Sequence, residues 1–155
     1  MPELAGRLRT ISANGITKVE PTFYDFNRLF LFTHLEPSYK NKAWIIVDGD
    51  KDGIEAIHQL QYKYESSGWN RDNFSTFTEM NFEQYYPKDF KDEVIRIFTI
   101  TDKQTKRQEK EKLLKKVEDW VASDIEKAKK AFEESAKEVI DKLSSIKVQL
   151  LSTKP

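Results

Sequence analysis

The chain of 155 residues has no cysteine. Disulfide frameworks and thiolate zinc sites are therefore excluded. No apolar run is long enough to span a bilayer, and no secretory signal opens the chain, so no membrane partner is expected and a cytoplasmic location is the default. Net charge is missing as well, with 26 basic residues against 26 acidic ones. Bulk charge thus gives no pull toward nucleic acid, and phosphate binding would need a local basic face. Internal repeats and low-complexity tracts are absent too.

The residues that are present divide unevenly. Hydrophobic residues make up 38% and charged residues 34%, which is polar for one compact globule. The average hides a shift near Ile100: most aromatic residues precede it, and Lys, Glu and Ala dominate after it. Such a shift predicts an α/β domain over residues 1–100 and an amphipathic helical extension over residues 101–155.

Met1 to Arg9 has Leu4 and Leu8 at helical spacing, and Thr10 to Ser12 is a strand candidate. Asn14-Gly15 is a turn signal, since both residues tolerate positive φ. Thr22 to Leu35 places Phe23, Phe26, Leu29, Phe30 and Phe32 mostly three or four apart, which predicts an amphipathic helix. Glu36 to Asn41, with Pro37, reads as a loop. Ile45, Ile46 and Val47 form a continuous β-branched run, the pattern of a central strand covered on both faces. Ile54 to Tyr64 reads as a helix with Asp52 as its N-cap. Phe74 to Phe77 reads as a short strand, and Asp89 to Phe98 as a helix. From about Gln104 the residues Leu113, Val117, Trp120, Val121, Ile125, Ala128, Phe132, Ala136, Val139, Leu143 and Ile146 recur at helical spacing. That predicts one long helix or a helical hairpin, with Ser123 or Asp124 capping a restart.

Strand, acidic loop, helix, strand is the order of an α/β unit, in which ligands bind beyond the carboxyl ends of the strands. The loop Asp48-Gly49-Asp50-Lys51-Asp52-Gly53 falls at that edge. Carboxylates two apart in an extended loop converge on a hard cation, and Mg²⁺ takes one or two carboxylates plus water and substrate phosphate. Asp48-x-Asp50-x-Asp52-Gly53 also matches the opening of a calcium loop. However, the twelfth position is Gln59 instead of Glu, and a strand precedes the loop instead of a helix. The plain alternative is a solvated turn in which Asp52 only caps a helix.

His34 and His58 have no nucleophile pattern around them and read as surface or packing residues. Trp44, Trp69 and Trp120 read as core or interface anchors. Glu83, with Glu79 four residues earlier, reads by itself as an exposed acid beside aromatic core residues. Lys103, Lys106, Arg107, Lys110 and Lys112 would follow a phosphate backbone, or simply form a solvated face interleaved with Glu109 and Glu111.

The segment IIVDGDKDG, with ANGITKV upstream and FEQYYP downstream, resembles the Toprim domain of the OLD-family (overcoming lysogenization defect) ATP-dependent endonucleases over Arg9 to Pro87. The resemblance implies a partial Toprim-like, mostly parallel sheet flanked by helices. It also implies Mg²⁺ (or Mn²⁺) as cofactor, DNA as substrate, and an ATPase domain or subunit as partner, with a role in phage defence. Residue by residue it makes Asp48 and Asp50 metal ligands, Asp52 a third acid, Glu83 the later acidic ligand, and Lys112 the nearest match to a catalytic lysine. The family's Glu at the end of the first strand has no counterpart, and no G-x-x-x-x-G-K-[ST] phosphate loop occurs. The resemblance therefore implies the C-terminal part of a larger or split nuclease, inactive or weak when alone. The alternative function is a non-catalytic module that oligomerises or docks through its C-terminal helices.

Overall fold

The structure, a computed structural model, describes residues 8–152. Helix dominates, and the described residues include one two-stranded parallel sheet. They divide into two compact units, one reaching Thr78 and resuming at Ile146, the other spanning Glu79–Ser145. No helix among the described residues is long and apolar enough to cross a membrane.

The first unit begins with a short 3₁₀ turn, Ile16–Lys18, that leads into α1, Val19–Thr33. α1 starts three residues before the expected Thr22. Pro21 falls in its first turn, where no backbone amide has an intrahelical acceptor to lose. Its buried residues Val19, Phe23 and Phe30 lie four and seven apart. His34 ends the helix in the left-handed conformation, φ 56°. The predicted loop after it is instead a single helical turn, α2, Glu36–Tyr39, because Pro37 sits at a helix start that tolerates it. The expected strand at Thr10–Ser12 is absent; no neighbouring strand pairs with it among the described residues. The helical expectation for Met1 to Arg9 lies largely outside the described residues.

β1 is Ile45–Val47 and β2 is Phe74–Thr76, paired in parallel with Ile45 opposite Phe74 and Val47 opposite Thr76. Parallel strands need a crossover, and α3, Lys51–Glu65, supplies it. α3 buries Gly53, Ile57, Leu60 and Tyr64, the spacing of one helical face. The core joins this face to Val19 and Phe23 of α1, Trp69 and Phe74. Phe23 stands edge-on to Tyr64, Trp69 and Phe74, at 4.8, 4.9 and 5.3 Å between ring centres. β1 is half-buried rather than enclosed on both faces. Ile45 and Val47 pack on the core, and β2 is its sole strand neighbour among the described residues.

The second unit opens with two 3₁₀ turns, Phe82–Tyr85 and Lys88–Phe90. Then come α4, Lys91–Thr99, α5, Lys103–Ser123, α6, Ile125–Ser135, and α7, Lys137–Ser152, which runs past the unit's end. Phe90, Val94 and Ile97 pack against Leu113 and Val117 of α5, so the composition change near residue 100 falls inside one core. Trp120 meets the Phe90 ring edge-on at 5.4 Å. Asp124 accepts the Lys127 amide at 3.0 Å and caps α6, the expected restart. A second interruption, at Ala136, separates α6 from α7.

Candidate functional site

Asp48, Asp50 and Asp52 occupy three different roles in the first unit. Asp48 follows β1 directly and is half-buried. The Gly53 amide donates to Asp50 Oδ1 at 2.7 Å, and the Ile54 amide donates to the Asp50 carbonyl at 3.0 Å. Asp50, and not Asp52, is therefore the N-cap of α3. The reason is steric: Lys51 and Asp52 already have helical backbone, so the extended residue before them takes the cap. Asp52 lies exposed in the first turn. There its charge is favourable to the helix dipole without any hydrogen-bonding duty.

Gly53 decides the shape of the turn. A Cβ at this position would stand 2.1 Å from the Asp48 carbonyl oxygen and 3.1 Å from Asp50 Oδ1. Only glycine lets α3 begin this close to the end of β1. The turn thus presents the Asp48–Asp50 segment at the carboxyl end of a parallel strand, against a helix N-terminus.

The donor chemistry of this turn suits a hard cation. Asp50 is fixed through Oδ1, and its Oδ2 accepts no hydrogen bond among the described residues. Asp48 supplies a second carboxylate two residues earlier. Among the described residues, however, no three His, Cys, Asp or Glu side chains gather into one metal-binding group. A pair of carboxylates matches Mg²⁺, which keeps waters and phosphate oxygens in its remaining positions; it does not match calcium, which takes six to eight oxygens.

Glu83 belongs to the second unit, on the 3₁₀ turn Phe82–Tyr85. It is not the exposed acid that its neighbours suggest. Its side chain is 15% exposed and accepts from Lys110 Nζ at 2.9 Å. Lys110 also lies over the Phe98 ring, 5.6 Å from its centre. The alternative acid, Glu79, accepts from Gln84 Nε2 at 2.8 Å. Lys112 projects from α5 at 73% exposure and pairs with Glu109 at 2.6 Å. The lysine beside Glu83 is Lys110. Nothing in a segment so dense in lysine distinguishes these neighbours before packing selects a face.

Other basic residues of α5 are largely spoken for. Arg107 pairs with Glu111 at 3.0 Å, Lys116 with Glu93, and Lys106 donates to the Phe98 carbonyl. Glu109 and Glu111 thus interleave with Lys112 and Arg107 along the helix. The tryptophans divide as anchors: Trp69 is buried and donates from Nε1 to Asn27 Oδ1 at 3.3 Å, while Trp120 packs on Phe90. Both histidines are exposed.

No family model, curated protein or solved structure matches this chain. The case for function therefore rests on the turn after β1 and on the residues around Glu83.

Tyr86, next to Glu83 in sequence, has its phenol pushed up to about 12, by burial first and then by the nearby negative charges of Glu83 and Glu118. Tyr85 is raised as well, by burial and by its hydroxyl's hydrogen bond to Glu138. Both phenols are therefore neutral donors near neutral pH, and neither is a candidate base.

Proposed function

We propose that this chain is the Toprim portion of a Mg²⁺-dependent DNA endonuclease, coupled to an ATPase and serving phage defence. The observation that carries the reading is the turn at the carboxyl end of β1. A parallel strand delivers Asp48 and Asp50 to the start of the crossover helix, and Gly53 permits no side chain between them. Ligand sites in parallel α/β sheets form at this edge.

In this reading Asp48 and Asp50 hold the Mg²⁺, with Asp52 exposed alongside. When bound, the ion supplies Lewis-acid stabilisation of a phosphodiester's non-bridging oxygens. The chain's own contribution is positional. The Gly53 amide fixes one Asp50 oxygen, Oδ1, by a hydrogen bond. The α3 N-terminus adds the partial positive charge of its unsatisfied amides, which favours phosphate nearby. Within the second unit Lys110 holds the Glu83 carboxylate, and Lys112 stays the lysine that the resemblance implies.

Mn²⁺ titration by calorimetry or electron paramagnetic resonance, together with plasmid nicking, tests the reading. Binding by the native chain that is lost in Asp48→Ala is the expected result. Mn²⁺ affinity unchanged by Asp48→Ala and by Asp50→Asn would sink it.

A second reading, a non-catalytic module that assembles through its C-terminal helices, is favoured by Ile125 at 66% and Val148 at 62% exposure. Light scattering before and after truncation beyond Gln104 discriminates the two. Unchanged mass on truncation counts against the second.

A further inference from the structure

α1 is apolar on its outer side as well as its inner one. Val19, Phe23 and Phe30 face the core, but Phe32 is 75% exposed, Leu29 57% and Leu31 52%, with Tyr24 and Leu35 also exposed. A helix that is apolar all round is ordinarily buried. Isolated exposed apolar residues carry no meaning, whereas Tyr24 to Phe32 place theirs close together over about two and a half turns of α1, with Leu35 just beyond its end. The exposed apolar residues of α5 and α6, Leu114 and Ile125, by contrast, stand singly on their helices.

Two charges sit within this face, Asp25 and Arg28, three residues apart and so on the same side of the helix. Neither forms an ion pair among the described residues. The Arg28 guanidinium lies instead between two rings, 5.5 Å from the centre of Tyr24 and 5.7 Å from that of Phe32. That contact holds it extended over the apolar surface. The neighbouring Lys63 is already neutralised by Glu20 at 2.6 Å. The face therefore has one uncompensated acid and one uncompensated base, and no net attraction for a polyanion.

Such a face matches a surface of the same character with the two charges reversed in order. A second copy turned about a two-fold axis supplies this. We propose that the outer face of α1 is an isologous interface between two copies of this chain, with the helices antiparallel. An axis between Asp25 and Arg28 sets each Arg28 against Asp25 of the other copy. The same register puts Phe32 against Pro21 of the other copy. Arg, Tyr and Phe are the residue types that anchor protein interfaces. A helix of 15 residues spans about 22 Å at 1.5 Å per residue. One such helix pair buries less than the roughly 1,600 Å² of a standard interface. The association is therefore weak and concentration-dependent. It stands whether or not the chain binds metal or cleaves DNA.

Sedimentation velocity on the full chain over a concentration series tests this. The expected result is a mass rising toward twice the monomer. Phe32→Glu should weaken association at least about tenfold, while Ile95→Glu, at an exposed apolar residue of α4, leaves it unchanged. Asp25→Arg alone should weaken it, and Asp25→Arg with Arg28→Asp should restore it, because the reversed charges again face each other. Circular dichroism confirms that each exposed-site variant keeps its helices. A native chain that stays monomeric throughout, or a dimer indifferent to Phe32→Glu, overturns the proposal. So does a double charge variant no better than the single one. A monomer that instead binds single-stranded oligonucleotide in a Phe32-dependent way assigns the face to nucleic acid and equally overturns it.

Discussion

Glu20 shows how one side chain joins two helices. Its Oε1 accepts from Lys63 Nζ at 2.6 Å and from the Tyr64 hydroxyl at 3.0 Å, both on α3. The Lys63 hydrogen bond, above all, holds the Glu20 carboxyl below its ordinary value of 4.5, against an opposing push from partial burial. Burial and the Glu20 charge together raise the Tyr64 phenol. For a carboxyl whose folded pKa is depressed, the unfolded chain takes up the proton first as pH falls. The Glu20 contribution is thus present above 4.5 and lost as pH drops through that value toward the folded one. The ion pair is half exposed, so solvent screening limits it to under about 1 kcal/mol. Glu20→Gln is expected to lower stability at neutral pH by that amount, with the gap from the native chain closing in acid. Urea denaturation across a pH series measures it. A gap that stays constant into acid would show that the carboxylate charge is not what ties α1 to α3.

At the level of the element, Asp50 caps α3 and, in the proposed reading, would also ligate the metal, and substitution parts the two. Asp50→Ala removes the N-cap of α3 and is expected to cost about 1 kcal/mol. Asp50→Asn retains an oxygen acceptor for the Gly53 amide and so keeps most of that stability. It surrenders the negative charge that a cation needs. Thermal melts and Mn²⁺ binding, measured on both variants, should rank Asn near native in stability but near Ala in metal affinity. The turn that Asp50 caps was only half legible in the sequence. The run Ile45-Ile46-Val47 followed by acids and glycines announced a strand ending in a carboxylate turn, and it is there. The capping residue was misplaced, because helical backbone begins at Lys51 and only tertiary closeness to Asp48 explains why Gly53 must follow. α1 was legible from its phenylalanine spacing, but its start was hidden by Pro21, which helices accept in the first turn. The Asp124 restart was readable as a cap. The break at Ala136 was not, since alanine carries no local signal for ending a helix and neither glycine nor proline marks the spot.

On the scale of the whole molecule, two cores replace the one suggested by concentrating the aromatics before Ile100. Phe23 anchors the first, ringed by Tyr64, Trp69 and Phe74. Ile97, 1% exposed, anchors the second among Phe90, Val94, Leu113 and Val117. Hydrophobic periodicity predicts which side of a helix is buried, as it did for Leu113 and Val117 of α5. It cannot predict which buried sides share a core, because that choice is made by contacts distant in sequence. The same limit explains the pairing of Glu83 with Lys110 and not Lys112: i and i+2 on a helix point to different sides, and only the position of the Phe82–Tyr85 turn selects between them. The two cores should fail separately. Phe23→Ala is expected to cost about 3–5 kcal/mol and Ile97→Ala about 2–5 kcal/mol, each through a cavity in its own core. Hydrogen exchange read by mass spectrometry should show the first variant accelerating exchange in α3 and β2, and the second in α4 and α5. Each core is built from neighbouring elements that bury their apolar faces against one another, so the loss belongs first to the unit whose packing is broken. If Ile97→Ala left α5 as protected as before, α4 and α5 would not share a core, and the pairing of Glu83 with Lys110 would lose the packing that selects it.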